Sequence, residues 1–136
     1  NKSVLEECKD ALIMLLDLFE SYVGENGIIE KPFDYMFVDW IYIDELSLHH
    51  PPKALGQTSL NMFYYMALDH AQKIFSYLDD KGMADLCQCK KNTLKNAVNE
   101  LLFDEDDKIY YDRAVVSNMF KKVQTSASFL PMFAGV

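Results

Sequence analysis

Val4, Cys8, Ala11, Leu12, Leu15, Leu18, Phe19 and Tyr22 recur at three- and four-residue steps, the spacing that stacks side chains on one helical face. Ser3-Val4-Leu5-Glu6 has the form of a capping box, in which the serine and glutamate side chains satisfy unpaired amides of the first turn reciprocally. The pattern therefore predicts a helix over about 4–23, with Gly24 as its left-handed stop. Ile13, Met14 and Leu16 widen the apolar stripe beyond one face, so this helix should have neighbours on both flanks.

From Gly24 to Gly56 the helical period is lost, and Pro32, Pro51 and Pro52 each lack the backbone donor that a helix interior requires. Connections of this length are uncommon unless they carry function, and this one holds Tyr35, Trp40, Tyr42, His49 and His50. Within it, Phe37 to Ile43 has the alternation and composition of a short strand.

Helical period returns at Leu60, Phe63, Tyr64, Ala67, Ala71, Ile74, Phe75 and Leu78, which predicts a second helix over about 58–80. Met62, Tyr65, Met66 and Leu68 lie off that stripe, so its first half should be buried nearly all round, as in an inner barrel helix. A third helix, over about 83–103, sets Met83, Leu86, Cys87, Leu94, Ala97, Val98, Leu101 and Leu102 against Lys90, Lys91 and Lys95, the pattern of a half-exposed outer helix. Asp104 to Asp107 form an acidic turn that stops it, and Lys108 to Asp112 has the composition of an extended segment. Ser126, followed by Phe129, Leu130, Met132 and Phe133, opens another helix over about 126–136 that the chain leaves unfinished.

Composition narrows the classes. A chain of 136 residues, 50% apolar and 25% charged, can bury one core and carries no low-complexity tract. The net charge of −8 and the absence of a basic cluster argue against nucleic acid as a partner. The longest apolar run, Ala11 to Leu16, is far too short for a membrane span, and no leader pattern allows the compartment to be read. Cys8, Cys87 and Cys89 are odd in number, and the last two point apart on a helix, which disfavours a disulfide framework or a zinc site.

Chemistry is sparse at the level of motifs. Asp104, Asp106 and Lys108 start like a calcium loop, but the lysine and the missing glycine and final glutamate spoil it. Adjacent His49 and His50 face opposite ways in an extended chain, and His70 lacks a ligand partner at helical spacing, so neither a metal nor another cofactor is expected. Asp39-Trp40 joins a carboxylate that can accept hydroxyl bonds to an aromatic face that can cover sugar C–H groups; the same pair could equally cap a turn and plug the end of a helical pair.

Taken together, Phe37-Val38-Asp39-Trp40, the helix Asn61-Met62-Phe63-Tyr64-Tyr65-Met66-Ala67-Leu68, Leu94-Lys95-Asn96-Ala97 through Leu102-Phe103-Asp104, and Tyr111-Asp112 resemble, in order and spacing, the catalytic domain of α-L-rhamnosidase-like glycoside hydrolases of the six-hairpin superfamily. The resemblance implies an all-α fold of helical hairpins, part of an (α/α)6 toroid with a long aromatic-rich loop and at most a short β hairpin. Residues 1–136 would then be a single partial domain. It also implies inverting hydrolysis of a terminal sugar by two separated carboxyl groups, both outside this stretch, so no catalytic residue is expected within it and the chain by itself should be silent. Asp39 and Trp40 match the family's DW pair and, with His50 on the same segment, are the expected substrate-binding residues. Val38 stands where the family commonly has glycine, and His49-His50-Pro51-Pro52 is a further departure. The partners so implied are a rhamnose-containing carbohydrate and the remainder of a parent chain, in a periplasmic or secreted setting. The alternative from another class is a non-catalytic helical protein-interaction module, with the long loop as its binding element.

Overall fold

The computed structural model describes residues 1–30, 57–116, 119–124 and 126–136. Helices α1 (Lys2–Glu7) and α2 (Lys9–Glu20) are followed by α3 (Thr58–Tyr77) and α4 (Lys81–Leu102). The strands β1 (Phe103–Asp104), β2 (Ile109–Tyr110), β3 (Asp112–Val116) and β4 (Met119–Val123) come next. A 3-10 turn (Ser126–Phe129) leads into the short helix α5 (Leu130–Ala134).

The single helix expected over about 4–23 is two helices meeting at Cys8. The capping residue is Asn1, not Ser3: the Asn1 side chain accepts the Ser3 amide at 3.2 Å, and Ser3 sits inside the first turn. The stop also differs. Helix α2 ends at Ser21 in right-handed geometry, and the left-handed residue is Gly27, at φ 79°. Gly27 closes a tight turn in which its amide reaches the Gly24 carbonyl at 3.0 Å and Val23 bridges Ile29 in antiparallel fashion. A side chain at Gly27 would need that rare backbone region and would press on Ala97, so glycine is required twice over. The turn folds Ile28 and Ile29 into the core with no exposed surface.

Helices α3 and α4 form the central hairpin. Asp80 starts α4 by accepting the Met83 amide at 3.1 Å, and Lys91 crosses to Asp69 at 2.7 Å. Met62, Tyr64, Leu68, Ala71 and Phe75 of α3 meet Ala84, Cys87, Leu94 and Val98 of α4 in one buried cluster. Thr58 to Met62 are buried on every side, which suits an inner helix, whereas α4 buries Ala84, Cys87, Leu94, Val98 and Leu102; against expectation Leu86 is 45% exposed, and Lys90 and Lys91 are largely covered because they pair with Glu20 and Asp69. From α2, Phe19 stacks on Tyr64 with ring centroids 5.7 Å apart, and the Tyr64 hydroxyl donates to Glu20 at 2.5 Å. Burial and that carboxylate push the Tyr64 hydroxyl well above its ordinary pKa, so it stays a donor.

Among the described residues the strands form two antiparallel pairs, β1 with β2 and β3 with β4. Between β1 and β2 the Asp104 carboxylate accepts the amides of Asp106 and Asp107 at 2.9 and 3.0 Å. Lys108 adopts φ 57° to close the turn, and Lys122 of β4 pairs with the same carboxylate. The acidic turn is thus a self-satisfied structural device. Helix α5 is finished by Gly135 at φ 82°, with the Val136 amide on the Pro131 carbonyl at 3.0 Å. Phe129, Met132 and Phe133 around it are 62%, 81% and 76% exposed, and so are Val4, Met14 and Leu15 on the α1–α2 side, at 53%, 72% and 55%. These faces are left uncovered by the described residues.

Candidate functional site

Helix α3 begins where the long connecting segment ends, and the α3–α4 hairpin brings the exit of α4, and with it β1 to β3, to that same end. An unusual concentration of buried polar residues marks it: Gln57, Thr58, Ser59, Asn61 and Asp112 all lie among the fully enclosed side chains. Burying so many polar groups is costly unless each finds a partner, so their pairings show what the site is built to hold.

Asn61 makes the densest set. Its side-chain carbonyl accepts the Ile29 amide at 2.8 Å, and its NH2 group donates to the Gln57 carbonyl at 2.8 Å and the Ile29 carbonyl at 3.4 Å. Ile29 and Gln57 flank the connecting segment on its two sides, so one buried amide joins both of its stems. Asp112, at the start of β3, reaches the same place from the hairpin side, its Oδ1 accepting the Thr58 amide at 2.6 Å. Burial pushes the Asp112 carboxyl up to about 6, against the opposing pull of the Thr58 amide, which favours the ionised form. Gln57 is enclosed, yet among the described residues neither of its amide atoms has a partner.

A cleft of about 540 Å³, with no residue of this cluster in its lining, opens between the β1–β2 turn and α5, lined by Phe103, Lys108, Tyr110, Gln124, Ser128 and Phe129 among others. The hydroxyl of Tyr110, one of the lining residues, donates to Asn99 at 2.6 Å. Among the described residues no group of three or more His, Cys, Asp or Glu side chains could hold a metal ion. No helix there is long and apolar enough to cross a membrane.

Asp39, Trp40 and His50, the expected substrate-binding residues, lie outside the described residues, as do His49 and the strand expected over Phe37 to Ile43. His70 is exposed on α3. Cys8 and Cys89 are exposed and Cys87 is buried, all three as free thiols. The roles of Asn61, Gln57 and Asp112 were not foreseen, although Asn61 and Asp112 stand inside the motifs quoted above. The available signal was polarity at positions where the surrounding pattern demands apolar residues.

Residues 30–136 match the family described as the mannosylglycerate hydrolase MGH1-like glycoside hydrolase domain, and the chain belongs to that family. The chain is also similar to a GH78 family rhamnosidase of Bacillus sp. GL1, with 16% sequence identity and a TM-score of 0.78. That match covers 99% of this chain and 14% of the rhamnosidase chain. At this identity the likeness speaks for the fold: helical hairpins forming part of an (α/α)6 toroid. No curated protein matches the chain.

Proposed function

We propose that the protein containing this chain is an inverting glycoside hydrolase that removes a terminal sugar, with α-L-rhamnosidase-like specificity. In this reading the chain supplies inner and outer barrel helices and a sugar-contacting segment. The observation that carries it is the continuous match of residues 30–136 to a glycoside hydrolase domain. Rhamnose enters through the name of the structural neighbour and mannosylglycerate through the name of the family, so both belong in the substrate panel.

On this account Asp39 accepts sugar hydroxyl hydrogen bonds, Trp40 covers an apolar ring face and His50 contributes from the same segment. The general acid, which protonates the glycosidic oxygen, and the general base, which activates water on the opposite face, come from other hairpins of the barrel. The 136-residue chain by itself is then catalytically silent. Asp112, 2% exposed and engaged with the start of α3, is assigned neither role in this reading. Family membership favours this reading over a helical interaction module.

The test is turnover of a panel of 4-nitrophenyl glycosides, α-L-rhamnoside and α-mannoside included, together with mannosylglycerate. The intact protein is compared with the 136-residue chain. Release of sugar by the intact protein alone is expected. Turnover by the short chain at a comparable rate would place the catalytic groups inside it and overturn the assignment.

A further inference from the structure

Gln57-Thr58-Ser59 and Gln124-Thr125-Ser126 are the same tripeptide, and each is followed by a helical segment with alanine ten residues after the glutamine, at Ala67 and Ala134. The copies stand 67 residues apart, and a tripeptide recurring at the start of successive helices marks a repeated structural unit. The 3-10 turn and α5 pack directly on α3, as one inner helix beside the next. Tyr64 and its counterpart Pro131 are buried in both copies. The others differ in what covers them. Met62 and Tyr65 are enclosed in the cluster that α4 completes, whereas their counterparts Phe129 and Met132 are mostly exposed, as is Phe133, the counterpart of half-buried Met66. The copies part at Gly135, whose left-handed conformation finishes α5 where Leu68 continues α3.

The cleft of about 540 Å³ shares Phe129, Met132 and Val136 with this face. Ser128, the counterpart of Asn61, also lines it, and its hydroxyl is enclosed without a partner among the described residues. Residues 123–136 carry no charged side chain in a chain of net charge −8, which suits burial inside one protein better than a face kept in water. We propose that Phe129, Met132 and Phe133, with the adjoining cleft, seat the outer helix that follows in the intact protein, the counterpart of α4 in the next repeat. In the first copy α4 covers α3 with Ala84, Cys87, Leu94 and Val98. The same spacing places the incoming helix about 12 to 33 residues beyond Val136. The matched rhamnosidase chain extends far beyond the 14% that is covered, so further helices are available in a protein of this architecture. The proposal rests on the fold and the repeat, not on the glycosidase reading.

The test uses the intact protein. Hydrogen peroxide oxidation of Met132 and Met62 is followed by peptide mass spectrometry, native and unfolded, over a range of protein concentrations. Native Met132 should react about as slowly as Met62, at least about tenfold below its unfolded rate, at every concentration. Oxidation of native Met132 at its unfolded rate overturns the proposal, and protection that fades on dilution overturns it in favour of a second copy. The occupant is read by cross-linking Phe133→p-benzoylphenylalanine under light and mapping the products. Cross-links to the same chain about 12 to 33 residues beyond Val136 are expected. Cross-links confined to another region of the chain or to another protein overturn the assignment. If that variant does not fold, the same substitution at Phe129 gives the reading, and the methionine measurement needs no substitution at all. Turnover enters neither experiment, so failure of the glycosidase reading leaves both results unchanged.

Discussion

Asp112, on the first strand of the second hairpin, accepts the backbone amide of Thr58 at 2.6 Å across 54 residues of sequence. The bond satisfies one of the orphan donors in the first turn of α3 with a side chain from another element, and so ties the β3–β4 hairpin to the inner helix. Helix and hairpin are held at a common end of the molecule by a group that is almost wholly buried.

A pH dependence follows. Asp112 has its carboxyl pushed by burial from the ordinary 3.8 to about 6 in the folded state, which therefore holds the proton more tightly than the unfolded chain does. The stability this contributes is fully present below about 4 and is lost as the pH rises through about 6, a change of about 3 kcal/mol for this group. Asp112→Asn keeps an acceptor for Thr58 without the charge, so it should flatten the melting temperature between pH 4 and 7 and raise it at neutral pH. An unaltered slope in the variant would show that Asp112 is not the titrating group.

Gln57 presents the opposite case, an enclosed amide with no partner among the described residues. Leaving such a group unsatisfied costs about 1 to 3 kcal/mol, so Gln57→Met, of similar volume, should raise stability by about 1 kcal/mol in a denaturant titration. A loss of that size instead would mean the amide is hydrogen-bonded in solution.

The helices were legible in the sequence because their packing writes a local period. Leu60 through Phe75 repeat every three to four residues, and the apolar residues off that stripe already marked the burial of Met62, Tyr65 and Leu68, although Phe63, on the stripe itself, is 52% exposed. Local chemistry misled where two candidates compete within a few residues. Asn1 and Ser3 can both cap, and Asn1 takes the role; Gly24 and Gly27 can both turn, and only Gly27 adopts positive φ. The polar cluster at the start of α3 was not legible, because its bonds join Asn61 to Ile29 across 32 residues and Asp112 to Thr58 across 54, and such pairs leave no periodic trace.

Trp40→Ala in the intact protein should weaken substrate binding by about 1 to 3 kcal/mol, seen as a raised KM, while the fold survives. Unchanged KM and kcat would remove Trp40 from the sugar contacts.

The most direct measurement is the stereochemistry of the reaction. Early-time proton NMR of the intact protein acting on whichever glycoside it hydrolyses shows the anomer released before mutarotation. The account predicts the inverted anomer, the outcome of a single displacement by water between two well-separated carboxyl groups. First release of the retained anomer would contradict the inverting assignment, and no hydrolysis of any glycoside in the panel would contradict the glycosidase reading itself.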